Sequence, residues 1–433
     1  MASTYLQRTP SSTGNRDKWT WSAWVKRSKL GANITLFSAW ADSSNNSVIT
    51  FLDDDALRYY DKAAGSVQAN LYTNRKFRDT NSWYHIVVVY DSGNNTSGDR
   101  VKIYVNGVEE TSFSTDTMPG QNNDSTVNKA SCPHYIGTDD TTGYFFDGAM
   151  SHIHFIDGTA YDASAFGETD TTTGEWKAKT SPSVNYGTNG FLILKDGNTI
   201  TDQSSNSNDW TLGGGTLTDL KDNPDNVFAT WNPLDNGRTW SGTIGLKNGN
   251  TTQDNASDGS PISTLGMTSG KWYAEIKIVN GVNTRSIGII DMASANSYIG
   301  HGSIAEPISY AYNTGSQSLW SGTTEVATSV GEGVAGDIIS VLVDLDSATK
   351  TIKFKKNNVD LSGTTQLTIS QSDITWGFVL RCDGGQIMSA NFGNGFYGTT
   401  AVSSAGTNAS ENGIFEYDVP TGYTALSTKG LNL

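Results

Sequence analysis

Apolar residues along this chain recur at alternate positions over short runs, and no long stretch repeats with the 3.6-residue period of a helix. A period of two belongs to strands with one buried face. In residues 18–25, Trp19, Trp21, Ala23 and Val25 share one face. Residues 85–91 read as a buried strand, and Val101, Ile103 and Val105 alternate with Lys102 and Tyr104. Asn106 and Gly107 then turn the chain back onto Val108, because this pair accepts the positive φ angles of a type I′ turn. Further on, Trp272, Ala274, Ile276 and Ile278 alternate with charged neighbours, which predicts a half-exposed strand. Ile339, Val341, Val343 and Leu345 form another inward row, followed by a polar turn at 346–349. The return strand has Ile352 and Phe354 inward and Lys353 and Lys355 toward water, and a turn at Asn357 and Asn358 ends it.

At 433 residues the chain exceeds what one core usually serves, so two domains are expected. With 46 glycines and 36% apolar residues, it suits many short strands joined by turns. The expected fold is all-β: two antiparallel β-sandwich (jelly-roll) domains in tandem, with very little helix. The first spans 1–166 and the second 232–433. Between them, 167–231 reads as a polar connecting region, most flexible at Gly213, Gly214 and Gly215. Phe191, Leu192, Ile193, Leu194 and Trp210 interrupt that polarity and should pack, so the connector is expected to be partly ordered.

A formal charge of −15 excludes nucleic acid as a partner, since a binder of phosphates needs a basic surface. It argues equally against an anionic membrane face. The N-terminus carries no apolar run, and nowhere do about 18 apolar residues follow one another, so neither Sec export nor membrane insertion is expected. The two cysteines, Cys132 and Cys382, are far apart and argue for folding in a reducing cytoplasm.

The sequence offers no catalytic constellation. A glycoside hydrolase on such a scaffold needs two carboxylates flanking the scissile bond, and Glu168 and Asp170 fall in a polar stretch. His85, His134, His152, His154 and His301 form no pattern with a nucleophile, and there is no Gly-x-Ser-x-Gly elbow. His152 and His154 lie two apart and could share a strand face, as metal ligands or as a packed pair. The expectation is a protein that is not an enzyme.

Ser82, Trp83, Tyr84 and His85, followed by Lys102 to Gly107, Tyr135-Ile136-Gly137, Phe146-Asp147-Gly148 and His152 to Phe155, resemble the laminin-G/concanavalin A-like jelly roll. That resemblance implies a curved sandwich whose relatives often bind glycans or proteins, sometimes through calcium held by loop carboxylates. Asp53, Asp54, Asp139 and Asp140 are the candidate calcium ligands, the alternative being solvated acidic turns. Trp272-Tyr273 with Glu275, then residues 337–344, Ile352-Lys353-Phe354, Ala390-Asn391-Phe392-Gly393 and Pro420-Thr421-Gly422-Tyr423 resemble the SPRY family over 232–428. SPRY domains select peptides or proteins with loops at one end of the sandwich. Tyr310, Tyr312, Trp320 and Arg381 are the candidate ligand-binding residues, with core packing as the competing role for the aromatic ones.

Residues 222–235, with Tyr5 to Ser12 and the Trp-rich strand, resemble stretches of tailed-phage and marine viral structural proteins with this domain order. The resemblance implies a virion protein assembled in the host bacterial cytoplasm: a tail fibre or tip, or a head-fibre adhesin. Its partners would be other virion proteins and host surface polysaccharide, and it would be a homo-oligomer, a trimer being one option. A capsid or tail decoration (cement) protein without host recognition is the alternative, and a secreted glycan-active enzyme a third.

Overall fold

The computed structural model describes residues 3–197, 199–235, 244–254, 259–281, 285–294, 299–300, 308–363, 366–382 and 385–432. His301 therefore lies outside the described residues. The chain divides into two compact units, Met1–Asp219 and Leu220–Leu433. Each is an antiparallel β-sandwich with its own core, and among the described residues there is no α-helix.

The strands of the first unit are β1 (Tyr5–Arg8), β2 (Lys18–Arg27), β3 (Ile34–Asp42), β4 (Asn45–Phe51), β5 (Ala56–Ala63), β6 (Ser66–Lys76), β7 (Tyr84–Asp91) and β8 (Val101–Val105). There follow β9 (Val108–Glu109), β10 (Phe113–Thr117), β11 (His134–Ile136), β12 (Gly148–Asp157), β13 (Gly167–Thr169), β14 (Trp176–Ala178), β15 (Phe191–Ile193) and β16 (Thr211–Gly214). One sheet runs β10-β6-β5-β4-β3-β11-β1-β16, and the other β15-β12-β2-β7-β8-β9. The predicted hairpin at Asn106 and Gly107 joins β8 to β9, with both residues at positive φ (48° and 83°) as a type I′ turn requires.

Trp19, Trp21, Ala23 and Val25 face the core as their alternation predicts, yet the intervening Thr20, Ser22 and Trp24 are buried as well. The cause is a third layer. Residues 158–190, including the β13–β14 hairpin that carries Glu168, cover the outer face of the six-stranded sheet. Phe166, Trp176 and Tyr186 pack there against Val87, Val89 and Ile156.

Residues 191–219 of the expected connector are built into the first sandwich, and 220–231 belong to the second unit, where Ala229 and Trp231 enter the core. β15 pairs with β12 in the six-stranded sheet, and β16 pairs with β1 at the edge of the eight-stranded one. Gly213, expected at the most flexible point, sits inside a strand. It is glycine because a Cβ there would run into the Tyr5 ring. Asp202 fixes the polar loop between these strands. Its carboxylate accepts hydrogen bonds from the Leu192 (2.9 Å), Ser204 (2.8 Å) and Asn208 (2.8 Å) N–H groups and from Ser204 Oγ (2.8 Å).

In the second unit, strand Lys271–Asn280 lies between Ile338–Asp344 and Ile387–Asn391. The facing sheet runs Thr324–Ala327, Ser318–Ser321, Ser309–Asn313, Arg285–Asp291, Trp376–Cys382. Trp272, Ala274, Ile276 and Ile278 are in the core. The other face of this strand, expected to meet water, is buried too, because Phe415 and Val419 pack over Tyr273. Glu275 survives there as a fully partnered carboxylate. It accepts from Tyr273 Oη (2.9 Å), the Glu416 and Tyr417 N–H groups (both 2.9 Å) and Tyr397 Oη, while burial raises its pKa. The turn at Asn357 and Asn358 has φ of 48° and 63°, left-handed values that asparagine tolerates.

Candidate functional site

The residues singled out in the second sandwich are mostly interior. Tyr310 and Tyr312 are 1% and 0% exposed and belong to the core between the two sheets. Their hydroxyls bond to Gln371 Oε1 (2.5 Å) and the Gly331 carbonyl (2.6 Å), so each ring packs and each polar tip is satisfied. Arg381 is 2% exposed. Trp320 alone is partly accessible, and it packs with Met292 against Ile262 and Ala311 on the outer face of the five-stranded sheet. All four, chosen as aromatic or arginine side chains, lie on strands, and the two tyrosines face the core.

The four candidate calcium ligands are divided between the β4–β5 turn and the segment after β11, and the carboxylates of Asp54, Asp139 and Asp140 accept protein hydrogen bonds. Asp54 is ion-paired with Lys76 (2.5 Å) and accepts from Tyr72 Oη and the Ala56 N–H. Desolvation would raise its pKa, but these donors outweigh it and hold it near 2. Asp139 is 8% exposed, accepts from the Asp140 N–H, and is raised to about 6 by burial. Asp140 accepts from Thr142 N–H (2.6 Å) and Oγ1 (2.7 Å). Among the described residues no three His, Cys, Asp or Glu side chains converge as a metal site.

The buried histidines of the first sandwich are packed and hydrogen-bonded. His85, 0% exposed, lies between Ser22 Oγ (2.9 Å from Nε2) and Trp176 Nε1 (3.0 Å from Nδ1). An indole N–H only donates, so Nδ1 is the acceptor and the ring proton sits on Nε2, pointing at Ser22. The ring therefore cannot take the Ser22 proton. This buried pair clamps the β13–β14 hairpin to the sheet rather than activating a nucleophile. Burial lowers the pKa of His85 to about 3. His152 and His154 do not share a strand face. The register of β12 shifts between Ser151 and His154, His152 has φ of 48°, and His154 is buried against Phe166 and Tyr186.

One sheet face remains open. The six-stranded sheet is covered by residues 158–190, and the loop after β11 covers β3, where Ser38 Oγ donates to the carbonyls of Thr138 (3.0 Å) and Asp139 (2.8 Å). On β4, β5, β6 and β10 the outward positions are only half-buried or exposed for the most part. Period-two alternation sends Ile49, Tyr59 and Leu71 into the core and Val48, Tyr60 and Asn70 outward.

Strand registers align these outward residues in rows. Val48, Tyr60, Asn70 and Thr117 face one another across the four strands, and Thr50, Arg58, Tyr72 and Thr115 form the adjacent row. Each row spans three strand spacings, about 14 Å. Arg58 Nε donates to Asn70 Oδ1 (2.8 Å), and its guanidinium lies 4.2 Å from the Tyr60 ring centroid. Asp54 also anchors the Tyr72 hydroxyl and raises its pKa to about 12. The result is a fixed patch of two half-exposed phenol rings with Arg58, Lys62, Gln68 and Asn70 as hydrogen-bonding groups.

Sequence reading passed over this patch. Its trace is the pair Tyr59 and Tyr60: adjacent aromatics on a strand point to opposite faces, so one of them must leave the core.

Residues 2–165 match the family model described as the concanavalin A-like lectin/glucanases superfamily, a laminin-G type. The first sandwich is concanavalin A-like. The match ends just before the β13–β14 hairpin, so β15 and β16 complete the sandwich from outside the matched residues.

Among solved structures the chain is similar to the SPRY domain of human HERC1, at 18% identity over 34% of this chain and 91% of that one (TM-score 0.29). It is similar to a SAP-like pentraxin from Limulus polyphemus, at 17% identity over 45% and 89% (TM-score 0.29). It is also similar to domain 4 of AbnA, an arabinanase from Geobacillus stearothermophilus solved with arabinotriose, at 21% identity over 35% and 66% (TM-score 0.27). These likenesses concern the fold alone. No curated protein matches the chain.

Proposed function

We propose that this chain is a non-enzymatic virion protein of a tailed phage, a fibre or tip adhesin, whose first sandwich holds a host surface glycan on the open face of β4, β5, β6 and β10. The observation that carries this reading is the Arg58–Tyr60–Asn70–Tyr72 patch. Phenol rings offer rigid amphipathic contact area at low entropic cost, and the flanking amides and guanidinium suit the hydroxyls of a sugar. The concanavalin A-like lectin/glucanase match of this same sandwich supports the choice of ligand. The tailed-phage resemblance of residues 222–235 supports the setting.

The cement-protein alternative calls for extended apolar edges that assembly would bury. The exposed edge strands at Val108–Glu109 and Val359–Asp360 are two residues long, and each carries a carboxylate ion-paired with a lysine, Lys102 and Lys353. At these two edges, short charged strands favour the adhesin.

The test is binding of the purified chain to intact host cells and to their isolated surface polysaccharide. Saturable binding insensitive to EDTA is expected, and Tyr60→Ala should weaken it by about tenfold or more. Absence of binding to cells and polysaccharide, alongside association with purified phage heads or tails, would overturn the adhesin in favour of the cement role.

A further inference from the structure

The open face carries two cations in an otherwise acidic chain, with Asp53 and Asp54 at its rim beside Tyr72. The chain carries −15 overall, yet among the described residues Arg58 and Lys62 have no carboxylate partner. Lys62 Nζ donates to the Ser43 carbonyl (2.9 Å). The adjacent Asp61 points into the core, and Asp54 at the rim is neutralised by Lys76. Burial lowers the pKa of Arg58, and its neighbours on this face are the neutral Tyr60 ring and the Asn70 amide rather than a carboxylate. A half-buried guanidinium without an anion gives up hydration for little return, unless its partner arrives from outside.

Resting on the reading that this face holds a glycan, we infer that the glycan is acidic and that Arg58 takes its anionic group, with Lys62 as a second cation. Two contacts already fix the fork: Nε is held by Asn70 Oδ1, and the guanidinium plane lies over Tyr60. Its two terminal nitrogens remain to meet a carboxylate or sulfate side by side, the geometry in which arginine is strongest. Holding the fork in place before the ligand arrives reduces the entropy lost on binding. The aromatic surface of Tyr60 and Tyr72 then contacts the sugar ring that bears the charge.

The test measures affinity of the full chain for three probes: polygalacturonate for carboxylate, dextran sulfate for sulfate, and neutral dextran. Binding to at least one acidic polymer, about tenfold or more tighter than to dextran, is expected. Arg58→Gln should reduce that affinity by about tenfold or more, and Arg58→Lys should restore only part of it, because a point charge cannot replace the fork. Lys62→Gln, which touches nothing in the core, should cost about threefold and flatten the salt dependence. Which acidic polymer binds separates carboxylate from sulfate. Equal binding of dextran, or an Arg58→Gln chain that binds acidic polymer as before, would overturn the acidic-glycan inference while leaving glycan binding standing. If none of the polymers binds, the acidic-glycan inference falls, and binding to the isolated host polysaccharide decides separately whether the reading beneath it stands.

Discussion

Asp61 neighbours Tyr60 on β5 but points the other way, into the core, where Ser47 Oγ and the Thr126 N–H (3.1 Å) are its donors. Burial outweighs those donors and raises its pKa from 3.8 to about 6. The folded state therefore holds this proton more tightly than the unfolded chain does. The stability that the protonated form contributes is full below about pH 4 and is lost as pH rises through 6. Asp61→Asn keeps an oxygen for both donors and removes the charge. It should raise stability by about 3 kcal/mol at pH 8, with the gain vanishing near pH 4. Urea unfolding across that range checks this, and a gain independent of pH would contradict the assignment. The buried imidazoles act with the opposite sign. Burial lowers His85 to about 3 and His134 to about 4, so their contribution is full above about pH 6.5 and is lost as pH falls toward those values. Asp61 and these histidines offset one another between pH 4 and 6, and the Asp61→Asn chain should lose stability more steeply on acidification than the native one.

Strands were legible where one face is apolar and the other polar, and the errors fall where that rule lapses. The run from Trp19 to Val25 and the strand from Lys271 to Asn280 were found, but a covering layer buries their second faces, and nothing in a single strand's alternation announces a layer supplied by distant residues. The same layer explains why 167–190 read as linker: it is polar overall and contributes isolated contacts such as Trp176 and Tyr186 rather than a periodic run. Gly213 read as flexible because composition cannot report that Tyr5 lies against it. The candidate residues of the second sandwich were chosen as aromatic, and on strands aromatic residues are as fit for the core as for a ligand; burial decided for Tyr310 and Tyr312. The open face escaped because its signal is spread over four strands and depends on register. One prediction belongs to this scale. Because β15 supplies Phe191 and Ile193 to the core and the segment before β16 supplies Trp210, a fragment ending at residue 219 should unfold cooperatively. One ending at residue 166 should not, as it lacks those strands and the cover over β2 and β7. Thermal unfolding followed by near-ultraviolet circular dichroism distinguishes them, and cooperative unfolding of the shorter fragment would contradict this account of the boundary.

At the scale of the whole molecule, two sandwiches of nearly equal length stand in tandem, each with a separate core and one buried free cysteine, Cys132 and Cys382. Rigid sandwiches of this kind suit a protein that must present a surface without rearranging. A formal charge of −15 disfavours nonspecific contact with anionic surfaces, and on the proposed reading the open face of the first sandwich is where contact is made. The central claim is that recognition resides on this face. Hydrogen exchange of the full chain, with and without host surface polysaccharide, tests it most directly. The account predicts slowed exchange in peptides covering 46–76 and 113–117. Binding accompanied by protection confined to the second unit would contradict it.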